Sequence, residues 1–365
     1  MKEKIYLPGL NGLRAIAALS VMLSHTLGKL EYYKLQNQVF FSSFAKYGVT
    51  IFFTLSGFLI TYLLIKELNS INSINVKKFY LRRILRIWPL YFLGIFLVLL
   101  IENFKVETSI LYYVFILPNI PYAIIFTGGT ISYSHLLVHY WSLGVEEQFY
   151  AFWPFIIKYS KKLITSLIIF CVLYFVLKIA LKAFQVSNFW LALIYNTQFS
   201  CLGLGAIGAY LFDKKKEYLV VFNKKIIEVL AWLLLLLIML NIFRFFSIIE
   251  HEIISVLTVI IIFNQVNNTK PLISLENKIF DYLGKISFGL YIYNPLVIYL
   301  LSIVFLRLDI KINYILKMGL IVVLNFTIII FISHISYYFF EKRFLKMKNK
   351  YTTIESFSSN PNNHK

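Results

Sequence analysis

The sequence predicts an all-α polytopic membrane protein of about ten transmembrane helices, with both termini cytoplasmic. Three observations predict it. Hydrophobic residues make up 59% of the 365-residue chain, charged residues only 15%, and mean hydropathy is +0.74. A soluble domain has about 45–50% apolar and about 25% charged residues, so this chain has too few charges to cover a soluble surface. Apolar stretches of the length that spans a bilayer recur along the whole sequence. The Lys and Arg residues between them alternate between dense and sparse clusters.

The expected spans are 11–30, 46–66, 84–101, 138–158, 163–181, 190–211, 226–243, 251–266, 285–305 and 314–340. The first carries Arg14 and His25 and has no small-residue cleavage site, so it reads as a retained helix rather than a signal peptide. Segment 109–127 is apolar but broken by Pro118 and Pro121, which makes it re-entrant or interfacial. The last span is long and is expected to tilt or to extend past the bilayer. With the N-terminus cytoplasmic, 25 of the 36 Lys and Arg residues fall on the cytoplasmic side and 10 on the other, with Arg14 inside a span. That bias accounts for most of the +19 net charge without nucleic acid as a partner. The two cysteines, Cys171 and Cys201, sit in apolar runs and exclude a disulfide framework. No metal-ligand spacing appears. The bilayer is therefore the expected partner, and one membrane domain over 1–345 is expected to precede a disordered cytoplasmic tail, 346–365.

Polar groups inside a membrane are costly and are the functional candidates. Arg14 and His25 are eleven residues apart, so they lie about 20° apart around one helix and about 16 Å apart along it. Snorkelling and helix packing would also explain them. Ser56 and Gly57 in GVTIFFTLSGFLIT permit close helix approach, and Thr50 and Thr54 can hydrogen-bond within the membrane. Arg83 and Arg86 in RRILRIWPLY share one helical face, suited to phosphate or simply to fixing topology. The segment HYWSLGVEEQFYAFWP puts adjacent carboxylates, Glu146 and Glu147, in an apolar helix. His139, Ser142, Glu146 and Tyr150 follow one-face spacing, and Glu147 is turned about 100° away. A buried carboxylate needs a partner or a proton, and Arg14 and His25 are the available partners. Asn294 lies within the ninth span. His334 reads as a packing residue, and His135 and His251, near external ends, carry little information.

Four of these segments resemble acyltransferase family 3, the integral-membrane acyl transferases: LNGLRAIAALSVMLSH, SGFLIT, RRILRIWPLY and HYWSLGVEEQFYAFWP, with a weaker echo in SFGLYIYNP. The match runs from about Pro8 to Phe344. Asn294 stands where many members have His, and no SGNH-type domain follows, which favours standalone members. The resemblance implies a bacterial cell-membrane enzyme with no tightly bound cofactor. It would move an acyl group, expected to be acetyl, from cytosolic acyl-CoA to a hydroxyl on an exported or cell-surface saccharide, lipid-linked or free. It implies His25 and Glu146 as catalytic residues and Arg14, Arg83 and Arg86 as holders of the CoA phosphates. Ser56, His139, Trp141, Ser142, Glu147 and Tyr150 would support or contact substrate. In that reading Glu146 orients the His25 imidazole or pairs with Arg14. The competing class is a transporter or glycan flippase that uses the intramembrane Arg, His and Glu as a proton relay. No matched pair of broken helices favours it.

Overall fold

The computed structural model describes residues 3–38, 41–104, 108–132, 134–244, 248–308, 312–352 and 354–357. The chain runs β1 (Glu3–Tyr6), α1 (Leu10–Gly28), α2 (Ser42–Ile71), α3 (Val76–Ile101), α4 (Ile110–Val114), α5 (Asn119–Phe126) and α6 (Trp141–Tyr159). It continues through α7 (Leu163–Ala183), α8 (Asn188–Thr197), α9 (Phe199–Lys214), α10 (Lys225–Met239), α11 (Glu250–Asn267) and α12 (Lys278–Arg307). It closes with α13 (Tyr314–Ser336), α14 (Lys342–Lys350) and β2 (Ile354–Phe357). Each expected span falls mostly on helix, with 240–243 beyond the end of α10. Six helical stretches are long and apolar enough to cross a membrane: Ser42–Ile71, Val76–Ile101, Leu163–Ala183, Asn188–Lys214, Lys278–Arg307 and Tyr314–Lys350. The Pro-broken segment forms the two short helices α4 and α5, neither of them a span.

Helix α2 is the central element, buried along most of its length. Its contact with α9 depends on missing side chains. A Cβ added at Gly57 would lie 1.9 Å from the Leu202 carbonyl oxygen, and one at Gly205 would lie 2.1 Å from the Thr54 carbonyl oxygen. Such close approach lets backbones pack where lipid offers no hydrophobic drive to associate. The threonines of α2 then tie it to its neighbours. Thr54 Oγ1 donates to Ser255 at 2.9 Å, and Trp153 Nε1 donates to Thr61 at 2.7 Å. Helix α7, by contrast, leaves Ile169, Val172, Leu173 and Val176 exposed, an apolar face suited to acyl chains.

Two departures from the sequence reading bear on function. The 190–211 span is two helices, broken at Gln198, which takes a left-handed backbone (φ 46°). The tail expected to be disordered is ordered through Phe357. Helix α14 runs to Lys350, and β2 pairs in parallel with β1, Glu3 opposite Ile354 and Tyr6 opposite Phe357. Ile354 is buried in the core cluster that holds Leu7 and Leu59, and this apolar contact orders the segment. The rest of the expected tail, 358–365, lies outside the described residues.

Candidate active site

The basic end of the bundle holds two pockets that meet at Arg86 and Lys348. One is lined by Arg82, Arg83, Asn349 and Thr352, the other by Arg14, Lys285 and Lys346. Both share residues with an inner chamber, the first through Arg83 and Arg86 and the second through Arg14 and Arg86. The inner chamber also holds Ser56, Ser142, Glu146 and Tyr150. Val49 and Tyr291 separate it from an outer chamber of about 740 Å³. The outer chamber is lined by His25, His139, Trp141, His251 and Tyr122 among others. The cavities thus share walls from the basic end to His25. Helix α1 runs beside them, with Arg14 at the inner chamber and His25 at the outer one, the single line expected from their spacing.

The arginines divide by partner. Arg82 is committed to structure: Nη2 lies 2.9 Å from Glu67 Oε2, and Nη1 donates to the Tyr351 carbonyl oxygen at 3.0 Å. Arg83 and Arg86 form no ion pair among the described residues, and Arg83 Nε is buried without a hydrogen-bond acceptor. Arg83 does lie over the Phe79 and Tyr150 rings, at 6.0 and 5.7 Å from their centroids, but a desolvated guanidinium without an anionic partner carries a cost that an anionic ligand would offset. Among the described residues Arg14 hydrogen-bonds only the neutral Asn11 Oδ1, at 3.5 Å.

The carboxylates divide as well. Glu146 faces the inner chamber. Glu147 turns away and accepts a 2.9 Å hydrogen bond from Trp88 Nε1, as the 100° rotation requires. Ser56 and Tyr150 join hydroxyl to hydroxyl beside Glu146. The expected common face of His139, Ser142, Glu146 and Tyr150 does not survive whole. Helix α6 starts only at Trp141, and the preceding 3-10 turn, Val138–Tyr140, swings His139 into the outer chamber.

The expected pairing of Glu146 with His25 is replaced. The two line different chambers, and the partner of His25 Nδ1 is the Asn294 amide nitrogen, 3.1 Å away. The His139 ring sits edge-on to His25, with centroids 6.5 Å apart. Tyr291 forms the partition: its hydroxyl donates to the His139 carbonyl oxygen and accepts from Ser142 Oγ, both at 2.7 Å. Trp141 stacks on Tyr122 at 5.0 Å and 16°, presenting an aromatic wall to the outer chamber. His251, given little weight from sequence, is buried at that chamber with Nδ1 2.7 Å from Thr50 Oγ1. Only the SFGLYIYNP echo hinted at Tyr291 and Asn294. Nothing local in the sequence marked His251 or Lys348. The described residues include no group of His, Cys, Asp and Glu that could hold a metal.

The family model for the acyltransferase domain, acyltransferase family 3, matches residues 7–334. The chain belongs to this family. By its apolar helices and family it is a multi-pass membrane protein carrying an acyltransferase-family domain. It is 29% identical over 325 residues to "Putative O-acetyltransferase SACOL0978" of Staphylococcus aureus strain COL, covering 81% of this chain and 51% of that protein. It is 30% identical over 245 residues to "O-acetyltransferase OatA" of S. aureus strain NCTC 8325, covering 61% of this chain and 37% of the relative. The chain thus spans about half the length, or less, of these curated relatives. No solved structure matches it.

Proposed function

We propose that this acyltransferase crosses a bacterial cell membrane ten times with both ends cytoplasmic. It carries an acyl group, acetyl in the simplest case, from cytosolic acyl-CoA to a hydroxyl of a saccharide at the outer face. One observation carries the reading: the cavities share walls from a cationic end, where Arg83 and Arg86 have no ion pair among the described residues, to a chamber holding an imidazole and an aromatic wall. Arg83, Arg86 and Arg14 hold the phosphates. The pantetheine arm extends through the inner chamber, so that the thioester reaches the Tyr291 partition. The saccharide hydroxyl stands at His25. The imidazole takes its proton, the oxygen bonds to the thioester carbonyl carbon, and the C–S bond breaks. The thiolate leaves and takes up a proton, giving the O-acyl ester and free CoA. Glu146 sets the charge around the thioester, with Ser56 and Tyr150 beside it. Trp141 and Tyr122 offer a sugar-stacking surface.

The test gives purified protein acetyl-CoA and a panel of saccharide acceptors, lipid-linked and free. Free thiol and base-labile O-acetyl product should appear together and be lost in His25→Ala. A protein that neither binds CoA nor releases thiol would overturn the reading and leave the transporter class in its place.

A further inference from the structure

The scheme above gives no role to Lys348, a cation of the donor wall. Lys348 lies in α14, the segment whose sequence gave no sign of order. It lines both basic pockets, facing Arg82 and Arg83 in one, Arg14 and Lys285 in the other, and Arg86 in both. Among the described residues, neither Lys348 nor Arg86 nor Lys285 has an ion-pair partner. Two carboxylates line these pockets, too few to balance the cations: Glu67 is held by Arg82, and only Glu341, which accepts from Ser336 Oγ at 3.3 Å, is left against Arg14, Arg83, Arg86, Lys285 and Lys348. Gathering like charges with so little counter-charge is unfavourable. A bound polyanion would remove that cost.

Lys348 is also held in place rather than left on a free tail. Arg82 binds the Tyr351 carbonyl just beyond it, and Ile354 is buried where β2 pairs with β1. A cation fixed before the ligand arrives loses little entropy on binding.

We propose that Lys348 is a phosphate-binding residue of the donor site. The α14–β2 segment is then a clasp that makes the site select a thioester bearing phosphates over one on bare pantetheine. This rests on the acyl-CoA reading above. CoA carries two pyrophosphate charges and a phosphomonoester of about −1.5 to −2. Arg14, Arg83, Arg86 and Lys348 line adjoining walls of the donor pockets, basic groups that would face those phosphates.

The test is calorimetric binding of CoA and of pantetheine to the purified full chain in detergent, which requires no acceptor. Lys348→Gln should weaken CoA about tenfold, the value of one charge-assisted hydrogen bond, and leave pantetheine binding unchanged. Lys348→Arg should bind CoA nearly as wild type does. Lys350→Gln, on the same helix but lining neither pocket, should be indistinguishable from wild type. No residue of α14 is buried, so these variants keep the fold, and matching melting curves check this. Equal CoA affinity in wild type and Lys348→Gln, or equal losses for CoA and pantetheine, would overturn the assignment while leaving the donor reading intact. Wild type that binds no CoA would overturn both.

Discussion

Asn294 and His25 meet across 269 positions of sequence, amide nitrogen to Nδ1 at 3.1 Å. A ring nitrogen's partner sets the imidazole tautomer. With the amide oxygen turned toward the ring, Asn294 accepts Nδ1–H and Nε2 keeps its lone pair, the state a base requires. With the amide nitrogen toward the ring, the proton sits on Nε2 instead. In the proposed reaction Asn294 would thus be a positioning residue. Asn294→Leu should lower kcat about tenfold, the cost of the one hydrogen bond, with CoA affinity unchanged. His25→Ala should lower kcat by about 10²–10⁴. Steady-state kinetics beside CoA titration separates the two effects.

Glu146 and Glu147 are neighbours in sequence and face different surroundings, one the inner chamber and the other Trp88. Glu147→Gln keeps an acceptor for the indole N–H and should leave turnover within about twofold of wild type, with a melting shift of about 1 kcal/mol. Glu146→Gln removes a chamber charge and should lower kcat by tenfold or so, a loss of about 1.4 kcal/mol of transition-state stabilisation. Equal losses in the two variants would remove the distinction.

Arg82 and Arg86 are one helical turn apart and should fail differently. Arg82→Gln strands Glu67, whose side chain is only 3% exposed, and should cost about 3–5 kcal/mol of stability. Thermal unfolding in detergent reads this. Arg86→Gln breaks no ion pair. It should leave the melting temperature unchanged and weaken CoA by about tenfold.

Gly57→Val would drive a side chain into the Leu202 carbonyl. The α2–α9 contact cannot spread without dragging the inner chamber apart. The loss should be about 3 kcal/mol or more, seen as a lower melting temperature and aggregation on size exclusion.

Much of this was legible in the sequence because membrane segments are written in long apolar runs, and costly polar residues stand out against them. Arg14, His25, Arg83, Arg86 and Glu146 all line the cavities. Helical arithmetic also placed Glu147 off the Glu146 face. It failed at His139 because the regular spacing stops where a 3-10 turn replaces α-helix. The Glu146–His25 pairing failed because angle around an axis says nothing of depth. Two residues can face inward and still occupy chambers on opposite sides of Tyr291. The ordering of 346–357 was hidden for another reason. A polar segment with one buried isoleucine gains its order from distant parts of the chain, the strand at the far end and Arg82 in α3.

That strand pairing joins the earliest described segment of the chain to the latest. Glu3–Tyr6 leaves the ribosome before any helix, and its partner Ile354–Phe357 only after all of them. Through most of its synthesis the polypeptide can insert helices and shape both chambers while the cationic end stands open. A chain arrested before Lys348 would lack both the strand that closes the clasp and the lysine it presents. By the clasp proposed above, a chain stopped there would hold the donor about as weakly as Lys348→Gln does.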